Sequence, residues 1–348
     1  MRAALLTDAR TMSVVDDFPE PDVADDAVLI RVAACGICGS DIHGYDGSTG
    51  RRRPPLVMGH EAAGVVERVG DAVDDLTPGD RVTFDSMVSC GRCGFCADGR
   101  RNLCDDRQVL GVSCGDYRRH GALADRIAVP RRIVYRLPDE LTMEHAALVE
   151  AVSVAVHAAN VSDIRLGDTA LIVGSGMIGL LCIQAARAAG ATRVIATDLS
   201  ERRLSVARDV GADETFVADE RTIDRVRAVT AGRGVDVAME VVGATPTVRT
   251  AIESTRKGGT VTLVGNVAPT IDLPLQSVVT REIRLQGTCG CNGEYPQCID
   301  LMARGVIDVS PLITATITLD ETPGWFDRLY AGDDEQMKVV VRPDAAVV

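Results

Sequence analysis

Four cysteines fall within fifteen residues: Cys90, Cys93, Cys96 and Cys104, spaced C-x2-C-x2-C-x7-C and interleaved with Gly91, Gly94 and Gly99. Two-residue gaps let successive thiolates converge on one tetrahedral ion. A closed set of four leaves no place for a substrate, so the expected chemistry is a structural zinc holding together a lobe over residues 88–106. An iron–sulfur cluster is the alternative that such thiolates allow, but nothing else in the chain suggests electron relay. Two further clusters, Cys35-Gly-Ile-Cys38-Gly-Ser40-Asp41-Ile-His43 and Gly59-His60-Glu61, offer a thiolate, an imidazole and a carboxylate. That mixed set suits a zinc with one coordination position left open. Spacing alone does not bring the two clusters together. By itself His60 would be an ordinary core histidine, and His43 a turn cap.

A third motif is Gly174-Ser-Gly176-Met177-Ile178-Gly179. A lone G-x-G-x-x-G is weak, but this one follows a predicted strand and opens a predicted helix. Asp198 stands at the end of the next strand, 19 residues past Gly179. Together these make a dinucleotide fingerprint: Gly174 for the tight turn, Gly176 for close approach of a pyrophosphate, Gly179 for packing of helix on strand. The helix N-terminus meets the phosphates with unpaired N–H groups and a positive dipole end. Asp198 would accept from ribose hydroxyls and repel a 2′-phosphate, which points to NAD; Arg202 and Arg203, just beyond, soften that repulsion. The bland alternative is a glycine turn with a solvated aspartate.

The elements that must position these residues fall into three stretches. Residues 1 to about 150 are short alternating apolar runs punctuated by Gly, Pro and Asp, as in a β-rich domain. From about 152 to 285, continuous apolar strands alternate with helical segments, which builds βαβ units and a parallel sheet covered on both faces. The tail returns to shorter mixed elements and is assigned back to the first domain. The expected division is therefore 1–151 with 286–348, and an inserted domain at 152–285. A chain of 348 residues suits two domains.

Composition bounds the remainder. A net charge of −13 leaves no basic face for a phosphate backbone, so nucleic acid is not expected as a partner. No apolar stretch approaches the roughly 20 residues of a membrane span, and the first residues lack an export signal, so the expectation is a cytoplasmic protein. Eleven cysteines then read as metal or packing thiols before disulfides. Cys35, Cys114, Cys182, Cys289, Cys291 and Cys298 read as packing residues, and His120, His145 and His157 make no case for chemistry. Lys257 and Lys338 are the only lysines among 37 basic residues, a bias that a GC-rich genome explains most simply, with an acidic, salt-adapted surface as the alternative.

In this order, the two reactive clusters, the cysteine lobe and the glycine fingerprint resemble the zinc-containing medium-chain dehydrogenase/reductase family over essentially the whole chain. The resemblance implies a GroES-like catalytic domain, an inserted Rossmann domain, and two zinc ions per chain, one structural and one catalytic. It implies that Cys38 and His60 hold the catalytic zinc. Where classical alcohol dehydrogenases place a second cysteine, this sequence has Glu150, which resembles the sorbitol dehydrogenase branch. There Glu61 and Glu150 complete the zinc environment, and either can be the inner ligand. Implied with it are oxidation of a secondary alcohol of a polyol or sugar alcohol by NAD, proton departure through Ser40 and His43, Asp41 orienting the ligand imidazole, and a homodimer or homotetramer. L-threonine 3-dehydrogenation, a phosphorylated polyol, and a non-catalytic zinc and nucleotide-binding protein are the alternatives.

Overall fold

The computed structural model describes residues 1–333 and 335–343; the last residues of the expected tail, 344–348, lie outside the described residues. The chain divides into two compact units. One comprises Met1–Glu150, Tyr295–Ala303 and the segment from Leu312 on; the other comprises Ala151–Glu294 and Arg304–Pro311. The division falls inside the helix Val149–Val161, and after residue 294 the chain changes unit three times rather than returning once at 286.

The first unit is built on one long strand, Ala27–Ile37, flanked by Glu61–Val69 on one side and Lys338–Arg342 on the other, both antiparallel to it. Arg81–Phe84 and Val134–Arg136 extend the sheet beyond Glu61–Val69, and Ile313–Thr318 extends it beyond Lys338–Arg342. Being central, Ala27–Ile37 has ten of its eleven residues buried, with only Arg31 partly exposed. Its Val28, Ile30, Val32, Cys35 and Ile37 pack with Leu6, Leu56, Met58, Phe84 and Phe326 in the core. Two register shifts, at Leu29/Ile30 and Val32/Ala34, re-aim its C-terminal end, where Cys38 follows.

The second unit is a six-stranded parallel sheet in the order Glu214–Val217, Arg193–Asp198, Thr169–Val173, Val235–Glu240, Thr255–Leu263, Arg284–Gly287. The chain starts in the middle and winds first one way, then the other, which is the doubly wound Rossmann arrangement. The direction reverses between Thr169–Val173 and Val235–Glu240, where ligands bind such sheets at the carboxyl ends of the strands. Both faces of these two strands are covered: Leu171, Val173, Val235 and Ala238 pack with Val226, Val248 and Ile252. Among the described residues, no helix is long and apolar enough to cross a membrane.

Candidate metal centres and dinucleotide site

The cysteine lobe buries few apolar side chains, Val88 and Cys104 among them. One sulfur from each of Cys90, Cys93, Cys96 and Cys104 lies within 4.8 Å of the others. Backbone amides aim at the thiols. The Arg92 N–H donates to Cys90 Sγ at 3.5 Å and the Cys90 N–H to Cys104 Sγ at 3.2 Å. The Arg92 amide is the chief reason Cys90 is drawn down to about 6, whereas burial pushes Cys104 up to about 11. Main-chain dipoles thus supply charge relief to the thiols. The Arg100 guanidinium pairs with Asp98 at 3.2 Å and lies over the Phe95 ring. Four converging thiols wrapped in amides fit a closed zinc site.

The two reactive clusters do meet. Cys38 caps the short helix Gly39–Gly44 directly after the central strand, and His60 and Glu61 stand at the start of its neighbour Glu61–Val69. Their donor atoms, one thiol, one imidazole nitrogen and one carboxylate oxygen, lie within 4.8 Å of one another. His60 is buried, and its Nδ1 has no hydrogen-bond partner, with Asp41 Oδ1 at 3.5 Å. Burial opposes charging this ring, but the Asp41 and Cys38 charges outweigh it and raise its pKa well above the ordinary histidine value. Protons are held at a spot that a metal cation would equally favour. A thiolate, an imidazole and a carboxylate whose donor atoms converge at a buried point fit a zinc with an open position.

Glu150, in the first turn of its helix, stands outside that group of three. Burial, with the neighbouring charges of Glu61 and Asp85, pushes its carboxyl up to about 7, and His60 opposes the rise. Ser40 and His43 are on the exposed side of Gly39–Gly44, where Ser40 Oγ accepts from the Arg52 guanidinium at 3.4 Å.

Two supporting residues escaped the sequence reading. Arg52 sits between Arg51 and Arg53, and only it is buried; its Nε and Nη2 donate to Asp41 Oδ1 at 3.1 and 2.8 Å. Nothing in a run of three arginines marks the middle one. Lys338 is 3% exposed, and its Nζ donates to both Glu61 oxygens, at 2.9 and 2.7 Å, and to the Ile37 carbonyl at 3.1 Å. Its signal was present: a rare lysine at the head of the wholly apolar run Val339–Val341, where a charge must have a buried partner.

In the second unit, Gly174-Ser-Gly176-Met-Ile-Gly179 lies between Thr169–Val173 and the helix Met177–Ala189, at the switch point. Gly174 has φ +101°, a conformation side chains disfavour. A Cβ on Gly179 would stand 1.9 Å from the Gly174 carbonyl oxygen, so helix and turn touch there. A Cβ on Gly176, the N-cap, would meet nothing within 4 Å. That open approach over a helix N-terminus fits a pyrophosphate. Met177 and Ile178 supply the first amides of the helix. Asp198 ends the next strand, and its oxygens accept from the Ser175 and Ser200 N–H groups at 2.7 and 2.9 Å, with Arg203 Nη1 4.0 Å away.

Residues 24–139 match the alcohol dehydrogenase GroES-like domain family, and residues 178–304 the zinc-binding dehydrogenase family. The chain is 36% identical to the sorbitol dehydrogenase of Bacillus subtilis (strain 168), over 99% of this chain and 98% of that protein. To the L-idonate 5-dehydrogenase of Vitis vinifera it is 35% identical, over 92% of this chain and 88% of that one. A putative zinc-binding dehydrogenase from Sinorhizobium meliloti 1021, solved bound to NADP, superposes with a TM-score of 0.89 at 34% identity and covers 98% of this chain and 99% of its own. Converging metal donors on a GroES-like sheet, a glycine turn at a Rossmann switch point and these full-length likenesses agree, and the chain belongs to the zinc-binding dehydrogenase family.

Proposed function

We propose that the chain oxidises a secondary alcohol of a polyol or sugar alcohol to the ketone, with NAD as hydride acceptor, at a zinc centre built on Cys38 and His60. The observation that carries this reading is the convergence of Cys38, His60 and Glu61 donor atoms within 4.8 Å, with carboxylates rather than a second cysteine beside them. Oxygen donors make a zinc centre harder than a second thiolate would, which favours the hydroxyls of a polyol. The sorbitol and L-idonate dehydrogenases among the relatives support that substrate class.

Zinc bound there supplies Lewis acidity, which lets an alcohol hydroxyl ionise near neutral pH. The chain's own groups do the rest. Asp41, held by Arg52, fixes the His60 ring through the 3.5 Å approach to Nδ1. Ser40 accepts from Arg52, and its own hydroxyl hydrogen stays available to pass on, so it can take the substrate's proton and deliver it toward His43. His43 is exposed, which suits release of that proton to water.

In the second unit, Gly174, Gly176 and Gly179 shape the turn, Met177 and Ile178 begin the helix whose amides would hold the pyrophosphate, and Asp198 would hold the adenosine ribose. The Asp198 carboxylate, anchored by two amides, keeps acceptor capacity for ribose hydroxyls and disfavours a 2′-phosphate, which supports NAD. Arg203 moderates that preference. The protein is cytoplasmic and a homodimer or homotetramer in this reading, with two zinc ions per chain. Purified protein assayed with NAD and with NADP against sorbitol, xylitol, galactitol, inositols, threonine, galactitol phosphate and simple alcohols tests it. Turnover confined to simple alcohols, or undiminished after the second zinc is stripped, would refute it.

A further inference from the structure

Away from the metal donors, the first unit has a cavity of about 340 Å³ lined by the segment 18–21 and the strands Arg118–Arg119 and Arg126–Pro130. That volume is at the lower end for small-molecule sites, roughly 300–1,000 Å³. Phe18, Pro21, Val57, Leu110 and Ile127 supply its apolar lining. The charged lining is Arg118, Arg119, Arg126 and one acid, Glu20. Glu20 is already within 3.4 Å of Arg126, which Glu67 holds as well at 2.9 Å. In a chain with 50 acidic and 37 basic side chains, an arginine without an acid is informative. Half-buried Arg119 is such a residue. Its Nε donates to Gln108 Oε1 at 2.6 Å, and among the described residues its two terminal nitrogens have no acceptor. Burial and the nearby Arg132 both work against its charge and lower its pKa, a cost that an anion beside it would relieve. His120 adds a neutral donor to the lining. Its Nδ1 accepts the Val57 N–H at 3.2 Å, which leaves the ring proton on Nε2, and burial with the Arg118 charge holds its pKa down. The ring stands edge-on to Phe18 at 5.1 Å, so this donor is fixed from two sides.

We propose that this cavity is a binding site for a small monocarboxylate with an apolar tail, its carboxylate on the terminal nitrogens of Arg119 and its tail against Phe18, Val57 and Leu110. The two N–H groups that Gln108 leaves unused on the guanidinium match the two oxygens of a carboxylate. The charge is set at one by the single arginine that lacks partners. Arg118 is exposed and already donates to Ser113 Oγ and the Pro54 carbonyl, both at 3.3 Å, so it adds only attraction at a distance. A dianion would bring a second charge with no cation free to take it. A neutral ligand would leave Arg119 as it stands. The tail follows from the apolar lining, whose removal from water is the other source of affinity. None of the lining residues is a metal donor or part of the glycine turn, so the inference does not rest on the reaction proposed above.

The probe is hexanoate, titrated into the full-length, zinc-loaded protein by isothermal calorimetry, beside hexan-1-ol, which keeps only the tail, and acetate, which keeps only the charge. Hexanoate should bind with a Kd on the order of 1 mM, and each of the other two at least about tenfold more weakly. Arg119→Gln removes the cation and should weaken hexanoate by at least about tenfold. Phe18→Ala removes part of the apolar lining and should weaken it by about fivefold while leaving acetate unchanged. These two variants lie on different segments, so if one does not fold the other decides. A carboxylate also has affinity for a zinc ion: undiminished hexanoate binding in both variants would put it at the metal centre and overturn the proposal. Equal affinity for hexanoate and either of its comparison compounds, which would make the site purely apolar or purely ionic, would overturn it too. So would the absence of saturable binding at concentrations about a hundredfold above the expected Kd.

Discussion

Arg52 and Asp41 form an ion pair with neither side chain more than 5% exposed, and the same Asp41 oxygen that takes two Arg52 hydrogens faces His60 at 3.5 Å. One carboxylate thus joins a buried cation to the imidazole proposed to hold the metal. Breaking such a pair from one side strands the other charge. Arg52→Met should cost about 3–5 kcal/mol in denaturant unfolding. In whatever fraction still folds, turnover should drop about 10–100-fold because Asp41, which faces the ring, loses its anchor. A variant of wild-type stability and activity would show that Asp41 needs no partner.

Two glycines of the dinucleotide turn should respond oppositely to the same added methyl. In Gly179→Ala the new carbon meets a backbone oxygen at 1.9 Å, and backbone yields poorly, so stability should fall by about 1–3 kcal/mol or more. In Gly176→Ala it meets open space. Melting should hardly change, but NADH binding followed by fluorescence should weaken by at least about tenfold, about 1.4 kcal/mol, as the methyl occupies the pyrophosphate's approach. Equal effects on folding in both would contradict this assignment.

Asp198→Ser should move the cofactor preference toward NADP, since it removes the carboxylate and leaves Arg203 nearby. The ratio of kcat/KM for the two cofactors reads this directly. An unchanged ratio would mean that specificity lies elsewhere.

Acid should weaken the second unit through Asp236. This carboxylate, 7% exposed, accepts from Arg233 and Arg256 at 2.7 Å and from the Thr169 N–H at 3.0 Å. Burial works against its charge, but Arg233, the Thr169 amide and Arg256 more than compensate, and its pKa falls to about 2. The folded value lies below the unfolded one, near 3.9. Its stabilisation is therefore complete above about pH 4 and is lost as pH falls toward about 2, amounting to about 2 kcal/mol. Asp236→Asn should remove that stability at pH 7 and flatten the acid limb of a pH–stability curve.

What could be read beforehand and what could not divide by distance along the chain. The cysteine lobe and the glycine turn are local: spacing, strand and helix lie within a few dozen residues, and geometry follows from the backbone between them. The Asp41–His60 relation came only with the family resemblance, because spacing alone does not bring the two clusters together; in the fold both flank one pair of neighbouring strands. Lys338 lies 277 residues from Glu61 and meets it only because Lys338–Arg342 pairs with the central strand. No periodicity carries that register. The far boundary failed to show for the same reason: Tyr295–Ala303 groups with the first unit and Arg304–Pro311 with the second, an alternation too short for any change in composition to reveal.

The Glu61–Lys338 pair also has consequences for how this centre can vary, because a Cβ on Gly36 would lie 2.2 Å from Glu61 Oε2. A larger residue there displaces Glu61, a shortened Glu61 strands a lysine, and an apolar residue at 338 strands a carboxylate, so each single step from the present trio is harmful while some joint changes are not. The three positions are epistatic. Attempts to retune the metal by directed evolution will find few paths through them one substitution at a time, and libraries that randomise 36, 61 and 338 together should recover functional combinations that stepwise screening misses.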